Sequence, residues 1–159
     1  MKEKFIYSVI IPHYHIPDLL IRCLKSVPVR SDTEILVVDD FSPDFEKTKT
    51  QIEVEFKGRE LKFFSTGKRS GPGIARNIGI ENASGKWLVF MDADDFFSDS
   101  ADDIFNEYAD AEADIVFCHM KAVKSEDITV KADDYVYEDC FIRYNKNKDE
   151  KYLRYYILF

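Results

Sequence analysis

Five short apolar runs, each separated from the next by a stretch with helical spacing, constrain the fold of this chain more than any other feature. The run from Phe5 to Ile11 is rich in β-formers and is closed by Pro12. Glu34 to Asp39, Leu61 to Phe64, Lys86 to Met91 and Ala113 to Met120 follow it. Between the first two, Ile16, Leu19, Leu20, Cys23, Leu24 and Val27 recur at helix spacing, with Pro17 near the helix start, where its missing N–H costs little. Phe45, Thr48, Ile52 and Phe56 fit a second helix, Pro72 to Asn82 a third, and Ile104, Phe105 and Tyr108 a fourth. Short apolar runs between helices read as parallel strands covered on both faces. Right-handed crossovers then leave an open, doubly wound α/β/α sheet as the expected architecture.

Beyond about residue 120 the pattern changes. Ala122-Val123 and Ile128 to Tyr137 read as a hairpin, and six of the nine Tyr lie between Tyr135 and Tyr156. The sequence closes on Tyr-Leu-Arg-Tyr-Tyr-Ile-Leu-Phe, read as a short helix that docks on the body or on a second copy in a homodimer. The expected division is therefore a core over 1–120 and a hairpin with a Tyr-rich helix over 121–159.

Composition narrows the function classes. With 14% aromatic and 45% hydrophobic residues the chain is globular rather than disordered. A net charge of -8 argues against nucleic acid as a partner, because that footprint is basic. The three Cys show no CxxC spacing and suggest reduced thiols, and no apolar run approaches the roughly 18 residues of a membrane span. With no signal-like N-terminus, the expected location is cytoplasmic.

In open α/β sheets, ligands bind beyond the carboxyl ends of the strands, where strand order reverses. Every such end here is polar. The first run ends in Pro12-His13-Tyr14-His15, the second in Asp39-Asp40-Phe41-Ser42, and the fourth in Asp92-Ala93-Asp94-Asp95. Asp92 and Asp94, one residue apart where a buried strand opens, suit one hard cation such as Mg²⁺ or Mn²⁺. Alternatively they favour the positive end of the next helix, a role that fits Asp99, Asp102 and Asp103. Asp39 and Asp40 either accept hydrogen bonds from a nucleobase or ribose, or cap a neighbouring helix. The Gly-rich Lys68–Asn77 segment opens a helix N-terminus suited to an anion, with Lys68, Arg69 and Arg76 as cations. It matches neither GxGxxG after the first strand nor a P-loop. Tyr14 suits stacking on a base. His13 and His15 lack a third metal ligand by spacing, His119 and Cys23 read as structural, as does Cys118, and Cys140 has no evident partner.

Four segments together resemble the family-2 glycosyltransferases of the nucleotide-diphospho-sugar transferase superfamily. They are Ser8-Val-Ile-Ile-Pro-His-Tyr14, Ile35-Leu-Val-Val-Asp-Asp-Phe-Ser-Pro43, Gly71-Pro-Gly-Ile-Ala-Arg-Asn-Ile-Gly79 and Gly85-Lys-Trp-Leu-Val-Phe-Met-Asp-Ala-Asp-Asp95. The resemblance covers roughly residues 5 to 120. It implies a Rossmann-like GT-A fold and transfer of a sugar, with inversion, from a nucleoside-diphosphate sugar, usually of UDP, to a saccharide or lipid-linked acceptor. It places Pro12 and Tyr14 at the nucleobase, Asp40 with Asp39 on the base, and Arg76 on the nucleotide. It makes Asp92 and Asp94 a DxD-type motif, with Asp94 as the better metal ligand and Asp92 and Asp95 on ribose or sugar. Mn²⁺ or Mg²⁺ would then neutralise the diphosphate that an acidic chain otherwise repels. Such enzymes commonly build surface polysaccharide at the inner membrane face. The family's catalytic base lies in a later Glu-Asp motif. Glu138-Asp139 is the one such pair in context and comes too early, which leaves Asp139 a weak candidate. The expectation is a chain that lacks the acceptor half and binds donor but transfers poorly, or that serves as a non-catalytic donor-binding or oligomerisation module.

Overall fold

The computed structural model describes residues 5–118 and the backbone of Tyr155–Leu158. The element order is β1 (Phe5–His13), α1 (Pro17–Ser26), β2 (Thr33–Asp39), α2 (Phe45–Glu55), β3 (Leu61–Ser65), α3 (Pro72–Asn82), β4 (Gly85–Phe90), α4 (Ala101–Tyr108), β5 (Ile115–Phe117) and β6 (Tyr155–Leu158). The strands form one sheet in the order β3-β2-β1-β4-β6-β5. Every pairing is parallel, with Ile10 opposite both Leu36 and Phe90. The expected parallel α/β sheet is thus the observed one, and strand order reverses between β1 and β4.

Alternation along each strand divides the core. Tyr7, Val9 and Ile11, with Ile35, Val37, Trp87 and Val89, face one side, where Leu20 and Leu24 of α1, Ile52 of α2 and Phe105 of α4 complete the larger cluster. Ile10, Leu36 and Leu88 face the other, with Ala83 and Ile80 from α3 and the turn after it. Both faces are covered because a parallel sheet buries both. On the α3 side the approach is close: a Cβ on Gly79 would stand 2.4 Å from Ile10 Cγ2.

At the amino ends of the strands, Glu34 is fully buried and carries a polar net. Its carboxylate accepts from Ser8 Oγ at 2.6 Å, Ser84 N at 2.6 Å, Ser84 Oγ at 2.9 Å and Lys62 Nζ at 2.7 Å. Burial alone would push its pKa up. The Lys62 ion pair and the serine bonds outweigh burial and hold it below the usual value. Beside it, Arg30 forks onto Asp32 at 2.7 and 2.8 Å and reaches Asp102 and Asn106 of α4. Arg59 donates to the carbonyls of Leu24, Val27 and Pro28, satisfying the C-terminal end of α1.

One element differs from the sequence-based expectation. The Tyr-rich terminus, read as a short helix, contributes a strand at Tyr155–Leu158. It lies between β4 and β5, with Val89 opposite Ile157 and Ile157 opposite Val116. A four-residue apolar run has no period of its own to distinguish helix from strand. Two parallel neighbours waiting for a third decide it. The expected hairpin over 122–137 lies outside the described residues.

Candidate functional site

The carboxyl ends of β1, β2 and β4 bring the acidic sequence clusters to one edge. The ladder continues past the strands themselves. Asp40 N donates to His13 O, Thr66 N to Asp39 O, and Met91 N to Ile10 O, so the loops leave the edge in fixed register.

Asp39 is 2% exposed. It accepts from His13 Nδ1 at 2.9 Å, from Ser42 N at 2.7 Å and from Ser42 Oγ at 2.6 Å. His13 Nε2 in turn accepts from Ile16 N at 3.2 Å, so Nδ1 carries the proton donated to Asp39. Both imidazole nitrogens are engaged within the protein, which leaves no lone pair for a metal. Ser42 Oγ also accepts from His15 N at 2.8 Å, tying the β1 and β2 loops together. His15 and Phe41, flanking this tie, both hold positive φ, 53° and 67°.

Asp40 is 5% exposed. Its carboxylate accepts from Thr66 Oγ1 at 3.0 Å, Ser70 N at 2.7 Å and Gly71 N at 2.9 Å. Burial works to raise its pKa, but the two N–H donors, the hydroxyl and the Arg69 charge hold it below the usual carboxylate range. Asp40 thereby fastens the segment that leads into α3. That segment lays the Arg69 guanidinium over the Tyr14 ring, 3.8 Å from its centroid. Pro12 is buried in β1 opposite Val38, and Tyr14 is 37% exposed at the rim.

Arg76, on the second turn of α3, pairs with the Asp92 carboxylate across the β1–β4 reversal. Asp92, Asp94 and Asp95 are all exposed, in a turn closed by Asp95 N donating to Asp92 O at 3.0 Å. Burial, then the neighbouring charges of Asp94 and Asp92, push the Asp95 carboxyl up, and Arg22 partly offsets them. Among the described residues no three His, Cys, Asp or Glu side chains converge as a metal cage. The donor set is instead two to three exposed carboxylates on one turn. That set fits a hard divalent cation whose remaining ligands are phosphate oxygens and water.

Sequence reasoning located the acids, Tyr14 and Arg76, and the edge they share. It missed Arg22 and Ser26 of α1, which bond the acidic turn. Their positions in the helical pattern carry no mark of contacts 70 or so residues away. It also missed the His13–Asp39 pair. Asp139 lies outside the described residues.

The comparisons with known proteins agree with the fold. The model of Glycosyl transferase family 2 matches residues 8–157. An uncharacterised glycosyltransferase of Rickettsia conorii is 42% identical over 92 residues, covering 57% of this chain and 15% of that protein. The poly(ribitol-phosphate) β-N-acetylglucosaminyltransferase TarS of Staphylococcus aureus is 26% identical over 132 residues, covering 77% of this chain and 22% of that protein. A crystal structure of S. aureus TarS 1–349 in complex with UDP-GlcNAc superposes with a TM-score of 0.65 at 27% identity, covering 78% of this chain and 37% of that one. The chain thus spans well under half the length of these relatives. The family match covers nearly all of this sequence, and the solved structure shares its fold. The chain belongs to glycosyl transferase family 2.

Proposed function

We propose that this chain binds a nucleoside-diphosphate sugar, with UDP as the nucleotide, at the β1–β4 edge and serves in transfer of that sugar to a hydroxyl of a saccharide or lipid-linked acceptor. The observation that carries this reading is the meeting of Arg76 with the Asp92–Asp95 turn at the reversal of strand order. The UDP-GlcNAc complex of TarS supports a nucleotide-sugar donor. Tyr14 and Pro12 line the nucleobase end, and Asp39 and Asp40 set the loops around it. Asp92, Asp94 and Asp95 face the sugar-diphosphate end.

Asp94 and Asp92 would hold a Mn²⁺ or Mg²⁺, which would supply neutralisation of the leaving diphosphate. The chain's own residues do the rest. Arg76 offers a cation to the nucleotide, and its pairing with Asp92 keeps both groups at the edge before ligand arrives. The reaction class is hexosyl transfer with inversion, in assembly of surface polysaccharide. The site of action is the cytoplasm, at the inner membrane face.

Calorimetric titration with UDP, once with Mn²⁺ and once with EDTA, tests the reading beside Asp94→Ala. The expected result is binding that needs the metal and is lost in the variant. A folded protein that binds none of UDP, GDP or dTDP under either condition overturns it.

A further inference from the structure

The acidic turn is followed by a run from Met91 to Ser100 with neither strand nor helix, so its backbone needs fastening from elsewhere. Met91, Ala93 and Phe97 anchor it in the core cluster that also holds Leu20, Cys23 and Leu24 of α1, while the acids Asp92, Asp94 and Asp95 between them stay exposed. A groove of about 800 Å³ lies between α1 and the run, lined by Arg22, Ser26, Phe96 and Phe97 among others.

Three side chains of α1 cross to the run. Arg22 donates through its terminal nitrogen to the carbonyl of Asp94, and its guanidinium lies 5.1 Å from the centroid of the Phe96 ring. Cys23 Sγ donates to the carbonyl of Asp92 at 3.7 Å. Ser26 Oγ accepts from Phe97 N at 2.9 Å and donates to Cys23 O at 2.6 Å. Positions 22, 23 and 26 share one side of the helix. Each bond goes to the backbone and so fixes where the chain runs without occupying a carboxylate oxygen. The Cys23 thiol is pushed up to about 12, by burial first and then by Asp95, and remains a neutral donor.

We propose that Arg22 is a positioning residue which, with Ser26, holds the Asp92–Asp95 turn in the geometry that binds a divalent cation. This rests on the reading that the turn takes such a cation. Removing a group that orients metal ligands from behind typically costs about 10–100-fold in metal affinity. The sign of the effect separates this role from simple charge. As a mere positive neighbour of three carboxylates, Arg22 would weaken cation binding, and its removal would tighten it. As a fastener it does the reverse. Ser26 carries no charge, so its removal reports on geometry alone.

The test compares the whole chain with Arg22→Met and Ser26→Ala. Mn²⁺ affinity is read from the electron paramagnetic resonance signal of free Mn²⁺, UDP affinity by calorimetry at limiting and at saturating Mn²⁺, and folding by circular dichroism. The expected result is Mn²⁺ binding about 10-fold weaker in Arg22→Met and several-fold weaker in Ser26→Ala. UDP affinity falls at limiting Mn²⁺ and returns to the wild-type level at saturating Mn²⁺. Equal or tighter Mn²⁺ binding in Arg22→Met overturns the proposal. So does a loss of UDP affinity that persists at saturating Mn²⁺, which would mark a general structural role. Should Arg22→Met fail to fold, wild-type Mn²⁺ affinity in a folded Ser26→Ala overturns it equally. Wild-type protein that binds no Mn²⁺ overturns the cation reading itself, and the proposal with it.

Discussion

Phe41 holds φ at 67° while 58% of its surface is exposed. A side chain in the left-handed region costs about 1–2 kcal/mol, and here little packing offsets it. Phe41→Gly removes that cost but adds about 0.5–1 kcal/mol of unfolded-state freedom. The variant should be more stable by about 0.5 kcal/mol, read as a higher urea midpoint. A lower midpoint would mean that the Phe41 ring makes contacts worth more than its strain. Asp40 presents the opposite case. Its charge is spent on Thr66, Ser70 and Gly71. Asp40→Asn keeps the shape but turns one acceptor into a donor facing an N–H. Amide exchange over residues 66–71 should accelerate well before the strands lose protection. Unchanged exchange there would show that the loop holds without Asp40. None of these pairings was legible along the sequence. The strand-end acids stood out because polar residues interrupt apolar runs. Whether Asp40 faces a ligand or its own loop depends on a partner 30 residues away, and no local pattern encodes that.

Helix α3 links core packing to the site. Its bounds were readable, because Pro72 suits a first-turn position and the Gly71 before it takes the positive φ there. The strands β1 to β4 were readable for the same kind of reason: each is short, apolar and bounded by breakers. The terminal strand was not, because its identity comes from the slot between β4 and β5 rather than from its residues. Within α3, Gly79 rests on Ile10, and Arg76 lies one turn earlier and meets Asp92. Ile10 is fully buried and β-branched, so it has little freedom to yield. Gly79→Ala should therefore lift the helix from the sheet, at about 1–3 kcal/mol of stability. Because Arg76 rides on the same helix, UDP affinity should fall as well. Adding Ile10→Ala relieves the clash, so the double variant should lose less than the sum of the two single losses. Strict additivity would show that the helix accommodates the methyl without moving.

Across the whole molecule, the sheet has a buried carboxylate net at each end, and both speak to pH. Asp32 and Glu34 stand at the amino end of β2 and Asp40 at its carboxyl end. All three are held below the ordinary carboxylate range. For Asp32 the Arg30 fork is the leading cause; for Glu34 and Asp40, hydrogen bonds and nearby cations outweigh burial. A carboxyl depressed in the folded state contributes stability that is complete above its unfolded value, about 4, and is lost as pH falls through the folded value. Asp95, which the fold raises, works the other way: its contribution declines as pH rises from about 4 toward its folded value. Three groups against one give a urea midpoint nearly level from pH 7 to 5 that drops steeply below about pH 4. Glu34→Ala removes the acceptor of Ser8, Ser84 and the partly exposed Lys62 and should cost about 1–3 kcal/mol at pH 7, as expected for donors left unsatisfied. The acid-induced drop should also be shallower in this variant, because one of the three titrating groups is gone. Midpoints from pH 3 to 7 for both proteins check this. An equally steep acid limb in Glu34→Ala would mean that Asp32 and Asp40 alone govern it, and that Glu34 holds the sheet by shape rather than by charge.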